Sequence, residues 1–380
     1  MTVAPGRPGL LRVINDKAAF ELLLDHGPLS RSRLSALTGL AHPTVTQLLG
    51  RLEAGGLVVP AGIDEGGRGP SAKLYAANAR AAHVAGVDVT PERLSVAIAD
   101  ITGTIVAEHE CATPRRPAER LRSILETATA RVGLQVGELR EVVLGTPGAI
   151  DPRTGRLGYA PHLLGWDLPD LAGELGRALG AGVTVENDVN LAAVAEMRMG
   201  QAKGIEDFVL LWAGAGLGMA LVLDGRVHRG ATGGAGEVSY LPVAGAPLSR
   251  DVGQGGHGGF QLTSGAAAVL DLARQHGVPG ETAAEAVAQG NAGLLAELAS
   301  RLATGLAAII CVVDPGLVVL SGEIPQAGGE ALLERIQGEL GEQATAQPRL
   351  ALSSVPGNVV RAGALASALG AARVGMFKDS

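Results

Sequence analysis

From residue 83 onward, short runs rich in β-branched residues alternate with longer segments of helical periodicity. Strands are predicted at 84–89, 94–100 and 104–110, then a helix at 118–132 and a strand at 141–144. Helices at 168–179 and 188–199 enclose a strand at 183–186, and strands at 208–212 and 219–223 follow. After Gly265 helices dominate, with one further strand predicted at 317–320. Strand triplets interleaved with helices, occurring twice, are typical of two α/β lobes that face a cleft.

The first eighty residues have a different pattern. A helix is predicted at 11–25, and Ser30 is a good N-cap for a second, short helix. Gly39 allows a tight turn before a third helix that begins near Pro43. A strand at 57–59, a glycine-rich loop at 61–71 and a returning strand at 72–76 complete a β-hairpin. Helix, turn, helix and hairpin together predict a winged helix-turn-helix.

The charge distribution agrees with a DNA-binding head. Residues 1–80 carry nine basic and six acidic side chains, so the head is +3 and the remainder −10 within a net charge of −7. The N-terminal part of a recognition helix normally faces base edges in the major groove. Thr44, Thr46 and Gln47 are therefore the predicted base contacts, and Arg68 in the wing is predicted to reach a minor groove or a phosphate. The alternative is a three-helix protein-interaction domain with a solvated polar face.

Cysteine usage and apolar runs bear on the compartment. Cys111 and Cys311 lie in apolar segments, so both are predicted to be small buried side chains and not a disulfide framework. The apolar run at 302–313 is too short to span a bilayer and predicts a buried helix. No secretion signal is recognisable at the start. We expect a cytoplasmic protein that does not associate with membranes.

Several motifs resemble the ROK family (repressor, open reading frame, kinase). In the head these are the segments 38–40, 44–46 and 52–57 and Gly67-Arg-Gly-Pro70 in the wing; later they are 142–151, 160–166, 185–190, 214–218 and 233–237. The order of these motifs is specific. The resemblance implies an α/β chain: an N-terminal winged helix-turn-helix plus a two-lobed, actin-like (ribonuclease-H-like) ROK sugar-kinase fold. Domains are expected at 1–80, which binds DNA, and 81–380, for the effector and dimerisation.

The resemblance also implies an effector site. Asn187 and Glu237 match family sugar ligands, and Asp188 matches the family's catalytic base. His162 and Tyr240 stand where the family has asparagine and histidine, so the pocket is altered. Asp188 could instead merely cap the helix that begins there. Trp166 could equally form a pocket wall or belong to the core.

The parts that serve kinase chemistry are altered. The family's Asp-x-Gly-Gly-Thr loop reads Asp88-Val-Thr-Pro-Glu-Arg93 here, and the late Gly-Gly reads Ser321-Gly322. Gly214-Ala-Gly-Leu-Gly218 keeps part of a second phosphate loop. The family's zinc-binding cysteines are missing around 251–259, where His257 is expected to be a solvated loop residue. We therefore expect no catalysis, no cofactor and no metal.

These patterns predict a DNA-binding transcriptional regulator of carbohydrate metabolism. Whether it represses or activates stays open, with repression favoured. Its expected partners are double-stranded operator DNA, a sugar-type effector and further copies of the chain, as a homodimer or higher homo-oligomer. The alternative is an ATP-dependent ROK sugar kinase. A third reading is an interaction scaffold.

Overall fold

The computed structural model describes residues 8–64, 72–158, 160, 163–248 and 258–377. The head contains α1 (Pro8–His26), β1 (Leu29–Ser30), α2 (Arg31–Thr38), α3 (His42–Ala54), β2 (Val58–Asp64) and β3 (Ala72–Ala77). Its three strands form one antiparallel sheet in the order β1-β3-β2. The predicted helices and hairpin are confirmed, and the arrangement is that of a winged helix-turn-helix.

Local sequence explains how the head folds. The Ser30 side chain accepts a hydrogen bond from the Arg33 amide and caps α2, as predicted. Gly39 has φ of 72°, a left-handed conformation that ends α2 at the turn. Four residues at helical spacing on α3 are buried and hold the recognition helix against α1 and α2: Val45, Leu48, Leu49 and Leu52.

The first lobe follows the head. Its elements are β4 (His83–Val89), β5 (Arg93–Asp100), β6 (Ile105–Ala112), α4 (Pro117–Ala130), β7 (Leu139–Thr146), β8 (Ala149–Ile150), β9 (Leu157–Gly158), α5 (Leu171–Leu179) and β10 (Gly182–Asn187). The main sheet has the order β10-β7-β4-β5-β6. β10, β7 and β4 run parallel, whereas β5 and β6 pair antiparallel. The carboxyl ends of the three parallel strands therefore meet at one edge.

The second lobe repeats this plan. After α6 (Asp188–Met199) come β11 (Phe208–Ala213), β12 (Leu217–Leu223), β13 (Arg226–Val227), α7 (Phe260–Ser264), α8 (Ala266–Gln275), α9 (Ala283–Ala288), α10 (Ala292–Val313), β14 (Leu317–Ser321), α11 (Glu323–Gln343), β15 (Arg349–Leu352) and α12 (Val359–Gly375). The sheet order is β13-β12-β11-β14-β15. The prediction of a single strand after Gly265 was wrong, because β15 is a four-residue edge strand without β-branched residues.

Two helices connect the parts. α12 returns to the first lobe, where it packs on β4, β7 and α6. The approach is close: a Cβ added at Gly363 of α12 would lie 1.8 Å from the Leu191 carbonyl oxygen of α6. One continuous apolar cluster joins the head, α6 and α12. Helix α12 is therefore packed between the two lobes and the head.

The prediction that both cysteines are buried was wrong for Cys311. Cys311 is exposed on α10, beside Val312, whereas Cys111 is half-buried. The apolar run at 302–313 is the second half of α10, whose opposite face packs into the second lobe's core. Over its full 22 residues α10 is long and apolar enough to cross a membrane, and 44% of its most apolar stretch is buried. Its Glu297 pairs with Arg301 and His276, and we interpret α10 as a core helix.

Candidate functional site

The candidate effector site lies where the parallel strands of the first lobe end. Asp88 of β4 pairs in register with Gly145 of β7, and Thr146 of β7 pairs with Asn187 of β10. Ligands of open α/β sheets bind beyond the carboxyl ends of such strands. The residues predicted from the 185–190 motif therefore lie at the edge where a ligand site is expected.

Asn187 turns out to be the cap of α6. Its Oδ1 accepts a hydrogen bond from the Asn190 amide at 3.0 Å, and its Nδ2 donates to the Gly148 carbonyl oxygen at 2.9 Å. The alternative that Asp188 is the cap was wrong, since Asp188 is the first residue of the helix itself. Asn187 thus ties the 142–151 motif to the 185–190 motif, which keeps Asp188 at a fixed place.

Asp188 lies among other carboxylates. Its Oδ1 accepts a hydrogen bond from the Val189 amide at 2.8 Å. Loss of water contact raises the pKa of Asp188 to about 7, and the negative charges of Asp88 and Glu237 add to this effect. Neutral pH therefore divides Asp188 between a carboxylate, which only accepts hydrogen bonds, and an acid, which also donates one. Both forms suit contact with sugar hydroxyls.

The neighbouring Asp88 is held from two sides. It is buried in β4, and its Oδ2 accepts a hydrogen bond from Asn358 Nδ2 at 2.7 Å. Burial raises the pKa of Asp88, while Asn358 and the guanidinium groups of Arg93 and Arg361 oppose that rise. Asn358 caps α12, so the C-terminal helix is anchored directly to this site.

Glu237 reaches the site from the second lobe. It precedes a short 3₁₀ turn that contains Tyr240, and burial raises its pKa. Gly236 before it has φ of 100°, and a Cβ there would lie 2.0 Å from the Met219 carbonyl oxygen, so only glycine fits this approach. Tyr240 is 37% exposed. His162 lies outside the described residues, so the structure joins Asn187, Asp188 and Glu237 from the predicted set.

An ion pair beside this site was missed at the sequence level. Arg229, in the segment after β13, donates from Nε to Glu186 Oε2 of β10 at 2.7 Å. Glu186 Oε1 also accepts hydrogen bonds from the Asn187 amide and from Asn190 Nδ2. The pair joins the two lobes. Glu186 lies within a recognised motif, but no local signal marks Arg229, since the contact spans 43 positions.

Trp166 belongs to the core. Its side chain is fully buried in the first lobe, and its Nε1 donates to the Pro114 carbonyl oxygen at 3.0 Å. Of the two alternatives, pocket wall or core, the structure favours core.

Two segments stand where the resemblance expects phosphate-binding loops: the β4–β5 turn and the loop at 214–218. Other groups of this chain contact both. The Thr90 amide donates to the Arg93 carbonyl oxygen, and the Arg93 amide donates to Thr90 Oγ1, so the loop that replaces Asp-x-Gly-Gly-Thr is a tight β4–β5 hairpin. In the partly kept loop, a Cβ added at Gly214 would lie 2.1 Å from a carboxylate oxygen of Glu323. A negative charge therefore stands beside the place where a phosphate would approach. Among the residues that the structure describes, no group of three His, Cys, Asp or Glu fits a metal ion.

The predicted DNA face is open. Thr44, Thr46 and Gln47 are all exposed on α3, opposite its buried stripe. The Thr46 hydroxyl donates to the His42 carbonyl oxygen at 3.0 Å, which leaves only its acceptor capacity for DNA. Arg51 at the end of α3 is held by a paired contact with Asp16 of α1. Arg68 lies outside the described residues.

Comparison with known proteins identifies the family. The model of the ROK family matches residues 84–375. The chain belongs to the ROK family. The regulator NagC of Escherichia coli K12, described as a DNA-binding transcriptional dual regulator, is 26% identical over 360 residues, covering 89% of this chain and 87% of NagC. The xylose repressor of Caldicellulosiruptor bescii is 26% identical over 246 residues, covering 63% and 61% of the two chains.

Solved structures of ROK proteins have the same fold. A ROK family transcriptional regulator, described as a homologue of E. coli Mlc, superposes with a TM-score of 0.75 at 22% identity and covers 97% of this chain and 100% of that one. A ROK hexokinase from Thermus thermophilus superposes with a TM-score of 0.61 at 28% identity, covering 75% and 97%. The regulator matches the head as well as the lobes, whereas the kinase matches three quarters of the chain.

Proposed function

We propose that this ROK protein is a DNA-binding transcriptional regulator, a repressor, whose operator affinity is controlled by a sugar or sugar derivative. The observation that carries the proposal is the arrangement of two sites on one core. Thr44 and Gln47 are exposed on a recognition helix, while Asn187, Asp188 and Glu237 converge between the lobes. It is supported by relatives named as a DNA-binding transcriptional dual regulator and an N-acetylglucosamine repressor, which match 89% of the chain, and as a xylose repressor, which matches 63%.

The division of labour follows the fold. We assign residues 1–80 to DNA binding and 81–380 to effector binding and dimerisation in the cytoplasm. A recognition helix reads only a short half-site, so two copies of the chain should bind a pseudo-palindrome. A ligand shifts DNA affinity only if it binds the two conformations unequally. A sugar held between the lobes binds the closed conformation more tightly than the open one. Because α6 and α12 pack between the lobes and the head, closure would move the head.

The second candidate is an ATP-dependent sugar kinase. It is favoured by the pKa of about 7 at Asp188, which suits a general base, and by the likeness to the Thermus hexokinase. Against it stand the tight Thr90–Arg93 hairpin and the Glu323 carboxylate beside Gly214. Phosphoryl transfer depends on neutralising phosphate charge, so we assign Asp188 to effector binding and not to catalysis.

The test uses the full chain. Footprinting on the regions upstream of its own gene and neighbouring genes should reveal a protected pseudo-palindrome, and complete lack of protection would contradict DNA regulation. A thermal-shift screen with N-acetylglucosamine, xylose and related sugars then identifies an effector. Asp188→Ala and Glu237→Ala should abolish calorimetric binding of that sugar and its effect on the operator. If both variants respond like the parent, the effector site lies elsewhere.

A further inference from the structure

A cavity of about 760 Å³ lies between the end of β6 and the first turns of α4. β6 is the edge strand of the first sheet, so the cavity lies at the side opposite β10. Its volume is within the range of about 300–1,000 Å³ typical of small-molecule sites. Its lining includes Thr113, Pro114, Arg115, Arg116, Arg120 and Ser123.

The cavity is basic although the surrounding protein is acidic. Three arginines and one acid, Glu119, line it, while residues 81–380 carry −10. Arg116 pairs with Glu119 at 3.4 Å, and both side chains are largely exposed. Arg115 and Arg120 have no carboxylate partner among the described residues. Two guanidinium groups are thus left to face the same opening, an arrangement that repels unless an anion is bound.

We propose that this cavity is a binding site for a small molecule that carries a phosphate monoester, separate from the effector site. The lining has a net charge of +2, which matches the charge of nearly −2 on a phosphate monoester at neutral pH. Guanidinium groups bind phosphate oxygens with paired, charge-assisted hydrogen bonds. The Thr113 and Ser123 hydroxyls donate to the carbonyl oxygens of Thr90 and Arg120, so towards a ligand they can only accept hydrogen bonds, from hydroxyl groups on its carbon-containing part. The apolar side chains of Pro114 and Ile124 suit the same part of the ligand.

The wall of this cavity is built onto the segment that leads from the first lobe's sheet to α5. Trp166 Nε1 donates to the Pro114 carbonyl oxygen, and a Cβ added at Gly165 would lie 1.8 Å from the Arg115 carbonyl oxygen. The 160–166 motif therefore touches the backbone that carries Arg115. A ligand in the cavity would therefore contact the segment that supports the 160–166 motif. If the proposed function is correct, this motif belongs to the effector pocket.

The experiment is calorimetry of the full chain at low salt with inorganic phosphate, glucose 6-phosphate and glucose. We expect both phosphates to bind. Arg115→Gln combined with Arg120→Gln should weaken the binding of glucose 6-phosphate by about tenfold or more, because each charge-assisted hydrogen bond contributes more than a factor of about ten in affinity. Arg120→Lys keeps the charge but loses the paired hydrogen bonds of the guanidinium group, so its affinity for glucose 6-phosphate should lie between those of the parent and the double variant. The control Arg274→Gln removes an exposed arginine with an acidic neighbour on α8 and should stay within about twofold of the parent.

Three outcomes would overturn the proposal: no binding of either phosphate by the parent, equal loss in Arg274→Gln, or full binding by the double variant. Displacement of phosphate by operator DNA, with a matching loss of operator affinity in the double variant, would instead assign these arginines to the DNA backbone. Inorganic phosphate separates the two sites, because it carries no sugar hydroxyls: Asp188→Ala should keep binding inorganic phosphate whether or not the proposed effector role of Asp188 is correct.

Discussion

Phe20 of α1 and Phe377, just after α12, pack against each other with ring centroids 5.8 Å apart and ring planes inclined by 60°. Both side chains are buried. The first ring belongs to the N-terminal head, and the second follows the helix that packs on α6, whose first residue is Asp188. The head and the effector site are therefore joined by packed helices, and not by the chain between residues 78 and 82 alone.

Replacing one of these rings should weaken the coupling. Phe377→Leu keeps an apolar side chain but removes a ring contact that contributes about 0.5–1.5 kcal/mol. We expect operator binding without effector to persist, while the effector's influence on operator affinity, usually about 5- to 150-fold, shrinks several-fold. Fluorescence anisotropy with labelled operator measures both. Phe260→Leu, in the second lobe's core, is the control; an undiminished response in Phe377→Leu would exclude this route.

Gln47 is the best candidate for a base contact on α3. It is exposed and has no partner among the described hydrogen bonds, so its amide is available to a base edge. Gln47→Ala should weaken specific operator binding by roughly 1–3 kcal/mol and leave binding to unrelated DNA nearly unchanged. Gln275→Ala, at the exposed end of α8, is the matched control. Equal losses on operator and unrelated DNA would show that Gln47 contacts the backbone instead.

The raised pKa of Asp188 makes stability depend on pH. Between about pH 4 and pH 7 the folded state retains a proton that the unfolded chain has released, so stability falls as pH rises through this range. Asp188→Asn removes this dependence. The variant should gain stability relative to the parent at pH 8, by an amount on the order of 4 kcal/mol, but little at pH 4. If the stability difference between the two proteins stays constant across this pH range, Asp188 has an ordinary pKa.

The Glu186–Arg229 pair should stabilise the contact between the two lobes. Arg229→Gln leaves the Glu186 carboxylate, 11% exposed, without its cationic partner, at a cost of roughly 1–3 kcal/mol. Glu186→Gln combined with Arg229→Gln should recover part of this loss. Urea unfolding of the parent, both single variants and the double variant measures the interaction energy. An interaction energy near zero would mean that the pair does not hold the lobes.

Kinase activity should be absent. Purified protein with ATP, magnesium and a panel of hexoses and N-acetylated amino sugars is expected to give no sugar phosphate above background, because Glu323 stands beside the remaining phosphate loop. The Thermus hexokinase assayed alongside is the positive control. Turnover of about one per second or faster would establish the kinase alternative.

Much of the candidate site was predictable because its residues are local in sequence. The 185–190 motif places Asn187 and Asp188 at a strand-to-helix junction, and the structure has that junction at the same residues. The contacts of these residues were not predictable. Asn187 and not Asp188 caps α6, and the Asp188 pKa depends on Asp88 and Glu237, which are remote in sequence. Arg229 and Asn358 were missed for the same reason.

The sequence by itself determined the elements with strong local patterns: the recognition helix with its buried stripe, the turn at Gly39, and the longer strands of both lobes, though not the two-residue strands or β15. Hydrophobic periodicity, capping and glycine conformation act over a few residues, so they can be read along the chain. Only the tertiary structure decided that β15 joins the second sheet, that Cys311 faces outward, and that Phe20 meets Phe377. Each depends on which surfaces are buried together by residues far apart in sequence, and local patterns carry no record of that choice.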